Sequence, residues 1–113
     1  MKLACVFALV GTTAMAETPQ TVAATATQTG GGWRFDVTVA HPDTGWDHYA
    51  DGWAVEDAAG NALGLRVLVH PHVTEQPFTR GMTITADLPD VVYVRSRCNV
   101  EGRSDEVFEV TLR

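Results

Sequence analysis

Polar and apolar residues alternate along most of the chain, and no stretch beyond the N-terminus shows the 3.6-residue spacing of an amphipathic helix. The clearest run is WRFDVTVAH (33–41). Trp33, Phe35, Val37 and Val39 fall on one face, Arg34, Asp36 and Thr38 on the other, which is the period of a half-buried strand. The same pattern predicts strands over 21–28 (threonine-rich, an edge), 52–57, 63–70, 78–86, 90–98 and 106–113. Met82 and Ile84 point to the core from the fifth. Val92, Val94, Ser96 and Cys98 do so from the sixth, and Phe108, Val110 and Leu112 from the last. Between the third and fourth strands, AAGN reads as a hairpin turn through Gly60-Asn61.

The first sixteen residues, MKLACVFALVGTTAMA, break this pattern. One lysine precedes an apolar run from Leu3 to Val10, and the segment closes on Ala14-Met15-Ala16. That is a signal peptide of bacterial type with an A-x-A cleavage site, its apolar run too short to span a bilayer. The expected mature domain is therefore residues 17–113, placed in a periplasm or outside the cell. Cys5 has too little hydrophobic sequence before it to be read as a lipidation site. No later segment is apolar and long enough to cross a membrane as a helix.

Removing the signal changes the charge balance. Residues 17–113 hold seven arginines, no lysine and all 14 acidic residues, a net charge of −7 with the histidines neutral. So acidic a surface argues against nucleic acid as a partner, since phosphate binding depends on lysine and arginine. One cysteine is left, Cys98, which has no intramolecular partner for a disulfide in an oxidising compartment.

Seven short strands in a small domain, with a turn about every ten residues, predict an all-β sandwich. The chain resembles an immunoglobulin-like or fibronectin-III-like domain in this pattern over the whole of 17–113, with Trp53 where such sandwiches often bury a tryptophan. The paired cysteines of antibody domains are missing, and Tyr93 lacks the spacing to Cys98 of a tyrosine corner. The resemblance implies a fold and no activity.

If consecutive strands run antiparallel, the connections after strands two, four and six emerge at one end. They carry His41, Asp43, Asp47, His48 and Asp51; then His70, His72 and Glu75; then Cys98, Asn99, Glu101 and Asp105. All four histidines and the one remaining cysteine thus gather at one pole. Pro42 and Pro71 each mark a strand leaving its sheet and hold the preceding histidine extended. His70 and His72 flank a proline, so both rings project to one side.

Imidazoles preset in this way suit copper or zinc. The candidate ligands are His70 and His72 with His41 or His48, completed by Glu75, Asp47 or Cys98. Met82 is a remote soft donor. The other reading is that the histidines order their loops and that the pole contacts a protein partner. Trp46 and Tyr49 with Asp43, Asp47 and Asp51 offer a surface for such a partner, or for a sugar. Arg95 and Arg97 lie on the outward face of the sixth strand, with Arg80 nearby and Glu109 as the expected counter-charge. Catalysis is not expected: there is no H-E-x-x-H motif, no phosphate loop, and the two serines of 17–113 sit outside any nucleophile elbow. The sequence thus predicts a small exported binding module.

Overall fold

A computed structural model describes residues 18–113, so the predicted signal segment lies outside the described residues. The strands in chain order are β1 (Gln20–Gln28), β2 (Trp33–Ala40), β3 (Ala50–Glu56), β4 (Ala62–Val67), β5 (Phe78–Ile84), β6 (Val91–Cys98), β7 (Gly102–Arg103) and β8 (Phe108–Thr111). No helix occurs among the described residues. One sheet has the order β1-β2-β5. The other runs β4-β3-β6, with β7 and β8 both paired to the free side of β6. Every pairing is antiparallel.

The inner faces of the two sheets build one core. Phe35, Val37, Val39, Phe78 and Ile84 come from the first, and Trp53, Val55, Val92, Val94 and Val110 from the second; all are buried. The alternation read from the sequence is the alternation observed, with Met82, Phe108 and Leu112 partly buried against the same core. Burying these side chains supplies the main driving force, roughly 1.5–3 kcal/mol for each large one. Polar groups that enter the interior are mostly matched. Ser96 and Thr21 share a 2.7 Å hydrogen bond between the two sheets.

Three features differ from the sequence reading. The described residues form eight strands, because the final one is broken. Arg97 pairs with Arg103 on β7, whereas Val94 pairs with Phe108 on β8, so both lie in the same direction along β6. Between them Ser104 turns the chain, its hydroxyl accepting from the Glu106 amide at 3.2 Å. Next, β4 stops at Val67 and not at residue 70. The Leu68 amide still donates to the Asp51 carbonyl at 3.0 Å, but continuing the register would carry residue 70 past Ala50, where its paired neighbour β3 begins. Finally, Arg95 pairs with Glu56 at 3.0 Å, not with Glu109, which sits opposite Tyr93. Arg80, on β5, belongs to the other sheet.

Because β7 and β8 act as one interrupted strand, the connections after β2, β4 and β6 do meet at one end. His41 N–H donates to Gln76 Oε1 (3.0 Å), His72 N–H to Asp43 Oδ2 (2.8 Å), and Asn99 N–H to the Tyr49 carbonyl (3.1 Å). Each bond joins two of the three loops.

Candidate metal centre

The chain leaves β2 at Ala40, and its next carboxylate, Asp43, folds back under it. The Asp43 side chain is fully buried and so does not belong to the outer surface. Its Oδ1 accepts from His41 Nδ1 at 2.6 Å and from the Ala50 amide at 2.9 Å, and its Oδ2 accepts from the His72 amide. Three donors thus satisfy a carboxylate that burial would otherwise make costly. An ionised carboxylate can only accept, so Nδ1 is the donor of this bond and Nε2 is the nitrogen left for another partner. Nε2 is buried and has no hydrogen-bond partner.

What Nε2 faces is assembled by the rest of its own connection and by the one after β6. Residues 44–48 form a tight turn in which the Thr44 amide donates to the His48 carbonyl and the His48 amide to the Gly45 carbonyl. This returns the His48 ring edge-on to His41, centroids 4.9 Å apart. From the opposite side comes the β6–β7 hairpin, in which Cys98 pairs with Gly102 across a three-residue loop. Gly102 adopts a φ of +78°, the left-handed conformation expected at the end of such a loop. The short loop brings Glu101 back beside Cys98. Asn99 locks hairpin and turn together, accepting from the Tyr49 amide (2.9 Å) and donating to the Trp46 carbonyl (3.2 Å).

The result is a group of four donors, His41, His48, Cys98 and Glu101, whose ligand atoms all lie within 4.8 Å of one another. Glu101 Oε1 is the focus: 2.8 Å from His48 Nε2, 3.0 Å from Cys98 Sγ and 3.9 Å from His41 Nε2. Around tetrahedral zinc, donors about 2.0–2.3 Å from the ion stand about 3.3–3.8 Å apart. The closest pairs here would open by under an ångström and the widest would close by about 1 Å. His41 and Cys98 are buried, while the side chains of His48 and Glu101 are 18% and 24% exposed. The site therefore has one wet side through which an ion can enter.

Electrostatics follow from this crowding. Burial pushes the Cys98 thiol up, and the neighbouring Glu101 carboxylate adds to the effect; the amides of Glu101 and Val100 oppose it. Hydrogen bonds from Cys98 and His48 hold the Glu101 carboxyl below its ordinary value. A divalent cation at the focus would reverse the first shift, since coordination takes the proton from a thiol.

The other predicted ligands are placed elsewhere at the pole. His72 is buried with its ring stacked on Phe78 at 3.8 Å, and Arg80 donates to its Nε2 at 3.0 Å. Burial first, then the charge of Arg80 and the nearby His70, hold His72 below its ordinary value. Its Nδ1 is buried without a partner. The exposed His70 ring lies 4.6 Å from that of His72, as the spacing across Pro71 suggests, but Nδ1 bonds to the Pro71 carbonyl at 3.0 Å. Glu75 pairs with Arg80 at 3.2 Å. Met82 packs on the core. Trp46 is 66% exposed with its ring edge against Tyr49, Asp47 is exposed, and Asp51 pairs with Arg97. Glu101 is the donor the sequence reading placed at the pole but did not choose, because a lone glutamate in a turn carries no ligand pattern.

No family model and no solved structure matches the chain. A curated protein of Halomicrobium mukohataei described as "Putative lipoprotein" is 49% identical over 79 residues, which cover 67% of this chain and 38% of that protein. The chain thus spans about two fifths of the length of that relative.

Proposed function

We propose that this protein is a small module of the cell envelope that binds a transition metal ion, zinc in the first instance, through His41, His48, Cys98 and Glu101. The observation that carries the reading is the buried Nε2 of His41, which has no hydrogen-bond partner, on a ring held by the Asp43 carboxylate and grouped with three further donors. Carboxylate–histidine–metal relays have this form, the outer carboxylate fixing the tautomer and raising the basicity of the ring. Two imidazoles, a thiolate and a carboxylate make a closed four-donor set of the kind zinc accepts in structural and storage sites. Copper is the other candidate, because a thiolate and two imidazoles also suit it. We read the role as binding, not catalysis.

Export is supported by the signal-like segment of residues 1–16 and by the description of the relative from Halomicrobium mukohataei as a lipoprotein. The strand order, with β4 beside β3 and not beside β5, favours the fibronectin-III-like form of the sandwich over the constant immunoglobulin form.

A second reading rests on the bonds that Glu101 already makes to His48 and Cys98. In it the four side chains tie two loops together for a protein partner and no metal is involved. Calorimetric titration with zinc separates the two. The metal reading predicts one equivalent bound more tightly than micromolar, lost in Cys98→Ser and in His41→Gln, and retained in His70→Asn. Absence of binding, or binding lost with His70 and kept without Cys98, would leave the loop-tying reading in place.

A further inference from the structure

The outward face of the larger sheet carries a second concavity, far from the histidines in chemistry. Register sets its rows. Ala54 lies between Leu65 on β4 and Arg95 on β6, and Gly52 lies between Val67 and Arg97, beyond which stands Arg103 on β7. The central strand thus presents small residues where its neighbours present large ones, and a trough forms along it. The cleft has a volume of about 180 Å³ and is lined by Ala54, Ala62 and Leu65 and by Glu56, Arg95, Arg97 and Arg103. One wall is apolar and open to solvent, with Leu65 about half exposed. The other is cationic.

Three of the seven arginines in residues 17–113, a stretch without lysine, converge on this wall. Arg97 and Arg103 are direct cross-strand partners, an arrangement that like charges disfavour unless something anionic lies between or beside them. Buried Glu56 takes the Nε of Arg95 at 3.0 Å and one Nη of Arg103 at 3.3 Å, and Asp51 takes the Nε of Arg97 at 3.1 Å. Three guanidiniums against two carboxylates leave one positive charge. A guanidinium has five N–H donors, and Arg97 commits one of them to Asp51. Glu56 therefore anchors the cationic wall, while Arg97 and Arg103 line the cleft with N–H donors that these ion pairs do not use.

We propose that this trough binds a small organic carboxylate with an aliphatic body, its carboxylate on Arg97 and Arg103 and its chain along Ala54 and Leu65. The cleft holds about six water volumes at about 30 Å³ each, which fits a ligand of some six to eight heavy atoms. Such a group could be a free short-chain acid or the C-terminal end of an apolar peptide; the shared chemistry is a carboxylate beside a hydrocarbon.

The test is an amide-resonance titration of the full-length protein with hexanoate. Arms with N-acetylleucine, acetate, hexanamide and inorganic phosphate run beside it. Hexanoate should move the amides of Ala54, Leu65, Arg95 and Arg97 saturably. Arg97→Gln should weaken the effect about tenfold, the loss expected for one charge-assisted hydrogen bond. Leu65→Ser should weaken it too, while both variants keep the dispersed spectrum of the wild type. N-acetylleucine binding more tightly than hexanoate would assign the trough to peptide ends, and the reverse order to free acids. No saturable shift, an equal response to hexanamide or phosphate, or a hexanoate response unchanged in Arg97→Gln would each overturn the proposal.

Discussion

Replacing one oxygen of Asp43 by an amide nitrogen, as in Asp43→Asn, leaves a single acceptor oxygen where three donors now converge. The protein has no spare group there, since Oδ1 serves His41 and Ala50 while Oδ2 serves His72. At least one buried donor then faces an NH2, at a cost of about 1–3 kcal/mol in stability. His41 loses the partner that sets its tautomer, and zinc affinity should fall about 10- to 100-fold by calorimetry. Acid dependence also belongs to single residues. His72 is held below its ordinary value of 6.5 by burial, Arg80 and His70, so the unfolded chain takes up the proton first. Its contribution is whole above about pH 6.5 and is lost as pH falls through the folded value. Glu101, held below its ordinary 4.5 by Cys98 and His48, acts in a second, lower window. Its contribution is complete above about pH 4.5 and is lost as pH falls through its own folded value. Melting temperature against pH should show both slopes, the upper one flattened in His72→Phe and the lower one in Glu101→Gln. Cys98 was legible as an inward residue from the alternation of β6. The roles of Asp43 and Glu101 were not, because each joins a local contact, two or three residues away, to others across 7 to 60 residues that no local pattern records.

At the scale of elements, the β6–β7 hairpin presents Cys98 and Glu101, half of the proposed metal set. Gly102, at φ +78°, has open space where a Cβ would stand, so Gly102→Ala costs only the left-handed backbone itself. That is about 1–2 kcal/mol in denaturant unfolding. Zinc affinity should fall with it, as the hairpin that pairs Cys98 with Glu101 loosens. Strands were the most legible part of the chain, because a two-residue period repeated over WRFDVTVA and VVYVRSRC leaves one solution for which face is inside. Strand ends were less so. Residues 68–70 continue the apolar run of β4, but past the Leu68 amide bond to Asp51 they leave the ladder, and the break between β7 and β8 is made by a serine turn that leaves no hydrophobic trace.

Across the whole molecule, antiparallel order collects the histidine loops at one end, and this was readable from the count of connections before any contact was known. What the count could not divide was the pole itself. It separates into His41, His48, Cys98 and Glu101 on one side of Asp43, and His70, His72, Arg80 and Glu75 on the other. Phe78 decides the split by stacking on His72, and Arg80 by occupying its Nε2. The sequence spacing favoured the second group; the geometry favours the first. Cobalt(II) distinguishes them directly, because it takes zinc's place and reports its ligands in its colour. Added to the full-length protein under reducing conditions, it should give a near-ultraviolet thiolate-to-cobalt charge-transfer band and the intense visible bands of a four-coordinate ion. One equivalent of zinc should displace both, and Cys98→Ser should lack the thiolate band. A cobalt complex without that band in the wild type, or no complex at all, would contradict the assignment of the metal to Cys98 and its three neighbours.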